Sequence, residues 1–344
     1  MTHELKTLIE TAITWEKEGL KAVLATVVAL DGSSYRRPGV RMLLNNNGHW
    51  VGAVSGGCVE KEVYRESQSV FETGVAKMMT YDGRYRLGCE GILYILLEPI
   101  ALIDGFIDAF FYCLNDRTEF TLTTYYHKKE GVFPGLGSVM HLNNMAFSLQ
   151  GEDVAENRQG TQEALIFKQS MTPCFKLIIV GAEHDAVKLS QYASFTGWEV
   201  TVVAKATETK SNRYFPGATM VQTMVPEEIS NLVIDDQTAV VLMTHNFAMD
   251  LRYLVALKDK SPNYIGLLGS TRRRDDLLSQ LIEYCPEISD EFLEVIYGPA
   301  GIDIGSETPE EIAISIVSEI LAVTRDRETY SLRKKSGKIH SKSK

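Results

Sequence analysis

Leu177-Ile178-Ile179-Val180 is an unbroken apolar run that stops at Gly181; a helical stretch then reaches Gly197, and Val200-Thr201-Val202-Val203 follows as a second apolar run. Runs of this kind belong to strands covered on both faces, and strand, helix, strand is the repeating unit of a doubly wound parallel sheet. Ala239 to Met243, Tyr264 to Leu268 and Leu293 to Ile296 add further apolar runs alternating with helical segments. The second half is therefore expected to be Rossmann-like. Its last helix is signalled by Thr308 as cap, Pro309 in the first turn and Glu311 completing a capping box, with a buried stripe at Ile312, Ile316, Val317 and Ile320.

The first half reads differently. A helix over Met1 to Glu18 precedes strand-like segments at Ala22 to Leu30 and Val40 to Leu44. After Ser55-Gly56-Gly57, the residues Val59, Val63 and Val70 line one face of a helix; Lys77 to Tyr81 and Ile92 to Leu97 suit strands, and Ile107 to Leu114 suits a helix. Periodicity is weak between about Asp116 and Pro173. The expected fold class is α/β: an N-terminal mixed α+β domain (1–125), a connecting region (126–173), a C-terminal Rossmann-like doubly wound parallel sheet (174–328) and a basic, disordered tail (329–344).

Composition narrows the function. The 344 residues carry 35 Lys and Arg against 45 Asp and Glu, a net charge of −10 that disfavours a nucleic-acid binder. No apolar run approaches the ~20 residues a membrane helix needs, and the acidic N-terminus does not read as a signal peptide, so a cytoplasmic protein is expected. Five cysteines, Cys58, Cys89, Cys113, Cys174 and Cys285, form no C-x-x-C pair, as suits free thiols in a reducing compartment.

Two features stand out chemically. In Ser55-Gly56-Gly57-Cys58 the glycines let backbone N–H groups converge as an anion nest, and a cysteine in the first turn of the following helix feels the dipole that favours its thiolate. Upstream, Arg36, Arg37 and Arg41 lie in a glycine- and proline-rich stretch suited to phosphate contacts. Cys89, between Gly88 and Glu90-Gly91, is a second candidate thiol. A tight turn, a packed cysteine and a solvated arginine loop remain the alternative for these residues. In the second half, Gly181-Ala182-Glu183 departs from the Gly-x-Gly of a dinucleotide fingerprint, and the next strand ends at Ala204-Lys205 without the usual acidic residue, so NAD(P) binding is disfavoured. Gly269-Ser270-Thr271 with Arg272 to Arg274 is a further candidate anion site or a solvated arginine face, and His245 sits at the ligand edge of the sheet as a binding or merely hydrogen-bonding residue.

In order along the chain, Gly32-Ser33-Ser34 to Arg36, Pro38-Gly39, Arg41-Met42, Gly52, Ser55 to Glu60, Leu87-Gly88-Cys89, Thr244-His245, Asp250, Tyr264 to Ser270 and Gly301-Ile302-Asp303-Ile304-Gly305 to Ala313 resemble the XdhC/CoxI family of xanthine dehydrogenase accessory factors. The resemblance implies a chaperone rather than a turnover enzyme. Such a protein binds molybdenum cofactor (molybdopterin), holds it during sulfuration by a cysteine desulfurase and delivers it to an apo molybdenum hydroxylase such as xanthine dehydrogenase. It places the metal at Cys58, and we assign the pterin phosphate to Arg36, Arg41 and the Gly56-Gly57 amides beside Ser55; Cys89, His245, Gly269 and Arg272 complete the candidate set. Glu183, Ala204 and Glu90 depart from the family pattern. The competing readings are an NAD(P)-dependent oxidoreductase built on the Rossmann-like half, and a non-catalytic scaffold with a degenerate nucleotide site. A homodimer is compatible with the sequence.

Overall fold

A computed structural model of the chain describes residues 2–32, 37–83, 91–151 and 163–335, the Cys58 side chain apart. The chain divides into two compact units, Met1–Pro173 and Cys174–Lys344.

The first unit opens with α1 (Thr2–Lys17), whose buried Leu5, Leu8, Ile9 and Ala12 recur at helical spacing. A six-stranded antiparallel sheet follows, in the order β3-β2-β1-β5-β4-β7, from β1 (Ala22–Gly32), β2 (Arg41–Asn45), β3 (Trp50–Gly52), β4 (Lys77–Asp82), β5 (Gly91–Ile100) and β7 (Gly131–Val132). Its two faces have different covers. Val23, Ala25, Val27, Met42 and Leu44 pack against Val59, Val63 and Val70 of α2 (Cys58–Thr73), the stripe read from sequence. Ala22, Leu24 and Leu43 instead meet α1 and α3 (Asp104–Asn115). Strand alternation produces this division, since neighbours in sequence point to opposite faces.

The stretch 126–173, expected as a connection, departs from that expectation. It supplies most of a second antiparallel sheet, β10-β6-β8-β9, formed by β6 (Phe120–Tyr126), β8 (Gly137–Leu142), β9 (Met145–Ser148) and β10 (Leu165–Met171). Asn143 and Asn144, at φ 46° and 66°, make the two-residue turn from β8 to β9. Two asparagines tolerate that left-handed conformation, so the pair was a readable hairpin signal. Strands β9 and β10 are largely exposed, which hid their period.

In the second unit β11 (Lys176–Val180), β12 (Glu199–Ala204), β13 (Ala218–Thr223), β14 (Thr238–Leu242), β15 (Tyr264–Leu267) and β16 (Ile296–Tyr297) form a parallel sheet in the order β13-β12-β11-β14-β15-β16. That is the doubly wound Rossmann order, which crosses over between β11 and β14. One face packs on α4 (His184–Phe195) and α8 (Pro309–Thr324), the other on α5 (Phe247–Leu257), α6 (Thr271–Tyr284) and α7 (Asp290–Glu294). The Thr308–Glu311 capping box of α8 forms in both directions. Residues 336–344 of the basic tail lie outside the described residues.

Gly181 shows how tightly the β11–α4 turn is built. Its φ is +138°, and a Cβ there would stand 2.4 Å from the Met243 carbonyl oxygen. Gly181→Ala is expected to cost about 2–3 kcal/mol in urea unfolding, through strain and overpacking. A loss under about 0.5 kcal/mol would show that the turn has slack.

Candidate functional site

Helix α2 is anchored at its far end, where the Phe71 carbonyl accepts a hydrogen bond from Lys21 Nζ at 3.0 Å, just before β1 begins. A helix of 16 residues spans about 24 Å. Cys58, its first residue, therefore lies toward the other end of β1, where Gly32 pairs with Gly91 of β5. The segments that carry Arg36 and Cys89 leave and enter the sheet at that same end, though both residues lie outside the described ones, as does the Cys58 side chain. The described strand ends Gly32, Asp82 and Gly91 lie together at that end.

The glycine turn ahead of α2 is open. Among the described residues no heavy atom stands within 4 Å of where a Cβ would sit on Gly56 or Gly57, and Gly57 takes φ 119° as the helix N-cap. The nest itself already has an occupant that the motif alone did not reveal. Glu60, 4% exposed, accepts from the Ser55 amide at 2.7 Å and from the Ser55 hydroxyl at 2.8 Å. Ser55 Oγ in turn accepts from the amides of Gly57 at 3.2 Å and Val59 at 3.3 Å. The chain's own Glu60 and Ser55 thus take up the Ser55, Gly57 and Val59 amides around the turn where a ligand phosphate was expected. The signal was Ser55 five residues before Glu60, a capping arrangement longer than the usual spacing.

Burial pushes the Glu60 carboxyl up, but hydrogen bonds from the Ser55 hydroxyl and amide and from the Glu60 and Gly57 amides outweigh it and hold the group below the usual carboxylate range. The native state therefore binds fewer protons here than the unfolded chain does. Its contribution to stability is present above the unfolded value and fades as pH falls through the folded one. Glu60→Gln is expected to cost about 1–2 kcal/mol at pH 7, with the gap to the parent closing in acid. Equal stability of the two proteins at pH 7, measured by urea unfolding, would contradict this.

Arg41 is a correction. It belongs to β2, paired with Thr26, and shares a strand face with Leu43 rather than with Met42 and Leu44, which face α2. Its side chain is buried; NH1 donates to the Gly39 carbonyl at 2.9 Å and NH2 to Gln169 Oε1 of β10. Burial pulls its pKa down to about 10, against the opposing fields of Glu98 and Glu4. The structure does not bring Arg41 to the α2 nest, because residues 41 and 42 point to opposite faces of one sheet.

In the second unit the crossover crevice is lined by Gly181, Ala182, Glu183, Val203, Lys205, Glu208, Thr244, Met249 and Tyr253 and has a volume of about 10 Å³, room for roughly one water. Lys210 reaches across it. Its Nζ donates to the Ala182 carbonyl at 2.7 Å and lies 3.8 Å from Glu183 and 3.5 Å from Glu208. Glu183 starts α4 without a side-chain cap.

His245, at φ 55°, follows β14 and places Nε2 3.5 Å from Asp185 of α4. Beneath it, buried Asp250 accepts from Thr244 Oγ1 at 2.7 Å and from Arg273 NH2 at 2.7 Å. Arg273 also lies 5.5 Å from the Phe247 ring. Gly269 makes room for it, since a Cβ there would meet Arg273 Cδ at 2.6 Å. Arg273, not Arg272, is the arginine turned inward; Arg272 is exposed. The anion site expected at the start of α6 is instead a capped helix, with Ser270 Oγ accepting from the Arg273 amide at 3.3 Å. Helical periodicity cannot tell which of three consecutive arginines faces the core edge.

Among the described residues no cluster of three or more His, Cys, Asp or Glu side chains could hold a metal ion, and no helix is long and apolar enough to cross a membrane. A Rossmann unit with a narrow crevice at its strand crossover, together with an α+β unit whose glycine turn leads into a cysteine-headed helix, defines the class. Residues 177–320 match the XdhC Rossmann domain, and residues 15–82 match the XdhC and CoxI family. A Bacillus subtilis protein named as a probable xanthine dehydrogenase subunit is 30% identical over 327 residues, 89% of this chain and 94% of that protein. The "Molybdenum cofactor insertion chaperone PaoD" of Escherichia coli is 24% identical over 333 residues, 95% of this chain and 91% of that protein. A crystal structure described as a xanthine dehydrogenase from Bacillus halodurans superposes with a TM-score of 0.76 at 27% identity, covering 93% of this chain and 96% of the other. The chain belongs to the XdhC and CoxI family.

Proposed function

We propose that this protein is a cytoplasmic chaperone that binds molybdenum cofactor at the amino end of α2, holds it while a cysteine desulfurase sulfurates it, and passes it to an apo molybdenum hydroxylase of the xanthine dehydrogenase kind. The family and the relatives named for xanthine dehydrogenase and for cofactor insertion support a maturation role. The observation that carries the site is the open Gly56-Gly57 turn, which leaves ligand space beside the first residue of α2, Cys58. Molybdenum favours sulfur donors, and a thiolate at position 58 would supply one.

Glu60 changes the division of labour expected from sequence. With the Glu60 carboxylate on the Ser55 amide and hydroxyl, and Ser55 Oγ on the Gly57 and Val59 amides, the pterin phosphate falls to cations outside the nest, and Arg36 and Arg37 precede it in the chain while Arg41 is committed elsewhere. Glu183 at the mouth of the 10 Å³ crevice, with Lys210 donating to the neighbouring Ala182 carbonyl, weighs against a nicotinamide oxidoreductase. Purified protein mixed with molybdenum cofactor should retain about one equivalent per chain through gel filtration, by metal analysis. No retained molybdenum, with the same preparation binding NADH in calorimetry, would overturn the proposal in favour of the oxidoreductase.

A further inference from the structure

The first unit holds a second cavity on the sheet face away from α2. A groove of about 370 Å³ runs between α1 and the β2–β3 edge, with Leu5, Leu8 and Val51 as its apolar walls and Glu4 and Arg41 among its other lining residues. Among the described residues, two buried polar atoms beside that groove have no hydrogen-bond partner, Arg41 Nε and Thr26 Oγ1. They belong to directly paired residues of β2 and β1, and side chains of such a pair share a face at a separation of about 5 Å. Both are donors that can converge on one acceptor.

The charge feels the fields of Glu98 and Glu4 but has no contacting counterion among the described residues. Among the described residues no carboxylate forms an ion pair with Arg41. Its partners are a backbone carbonyl and the neutral Gln169. Glu98, on the next strand over, is spoken for by the Ser138 amide and hydroxyl at 2.7 and 2.6 Å, and burial pushes its carboxyl up toward the neutral form. A buried guanidinium with no contacting counterion is costly, and a bound anion would offset that cost.

We propose that this groove binds a small monocarboxylate, its acid oxygen received by Arg41, with Thr26 buried beside it as a second donor, and its hydrocarbon body lying against Leu5, Leu8 and Val51. Glu4 at the rim favours a single negative charge over a phosphate dianion. Both donor atoms are covered in the ligand-free chain, so binding turns the Arg41 guanidinium toward the groove. The site lies on the opposite sheet face from Cys58 and does not depend on the cofactor reading.

Calorimetry of the full chain with sodium benzoate, against benzamide at matched ionic strength, tests it. Saturable benzoate binding is expected, at least about tenfold tighter than benzamide, which is similar in shape but uncharged. Arg41→Gln should lose at least about tenfold in affinity. Thr7→Trp, which fills the groove mouth on exposed α1 surface without touching the floor, should abolish binding with an unchanged circular dichroism spectrum. Thr26→Val should weaken binding while leaving thermal stability equal or higher, because it removes an unpartnered hydroxyl. No benzoate binding by the parent chain, equal binding of benzoate and benzamide, or undiminished binding by Thr7→Trp would each overturn the proposal and leave the two atoms to an internal water.

Discussion

Replacing Cys58 by alanine is expected to remove retention of molybdenum cofactor, weakening affinity by at least about a hundredfold, while the chain stays folded. Folding should survive because Val59, Val63 and Val70 carry the packing of α2 against β1, β2 and β5, and because Ser55 and Glu60 cap the helix independently of position 58. Cys58→Ser is the sharper comparison. It keeps a small polar side chain and exchanges a soft donor for a hard one, so it should fail nearly as badly as alanine. Metal analysis after gel filtration reads both variants, and circular dichroism reads the fold. Wild-type retention by Cys58→Ala would take the thiol out of the site, and the α2 turn would then be a structural cap alone.

The second large effect is on stability. Asp250→Ala should destabilise the second unit by about 3 kcal/mol, because it strips a buried carboxylate from Arg273 and Thr244 and leaves both donors facing an apolar gap. The consequence should spread to His245, whose left-handed backbone follows Thr244 directly. Hydrogen exchange across β14 and α5 should rise in the variant, and urea unfolding should show the loss. Asp250→Asn keeps the shape and one acceptor and should fall between. A change below about 1 kcal/mol in Asp250→Ala would mean that the Arg273 contact is a surface ion pair in energetic terms.

Much of the fold was legible in residue order alone. The Leu177-to-Val203 unit, the later apolar runs and the Thr308 capping box specify a Rossmann sheet, because a parallel sheet covered on both faces needs continuous apolar strands and capped helices. The second sheet of the first unit was missed because β9 and β10 are largely exposed and β8, though mostly buried, is interrupted by polar Ser138 and His141, so neither an apolar run nor a strict alternation marks them. In the candidate site the glycine turn and the cysteine were readable from residue type. Glu60, Lys210 and Asp250 were not, since their roles come from partners 5, 28 and 23 residues away on other turns.

Sequence by itself determined the elements: which runs become strands, where α2 and α8 begin, and that position 58 opens a helix behind two glycines. Those are local matters of torsion, capping and periodicity. Tertiary structure decided what each charged side chain meets. Arg41 and Met42 are adjacent in the chain yet serve opposite faces of a sheet, and Arg273 rather than Arg272 finds Asp250 because helix phase and a missing Cβ at Gly269 set the approach. Electrostatic roles depend on distances through folded space, and residue spacing does not contain them.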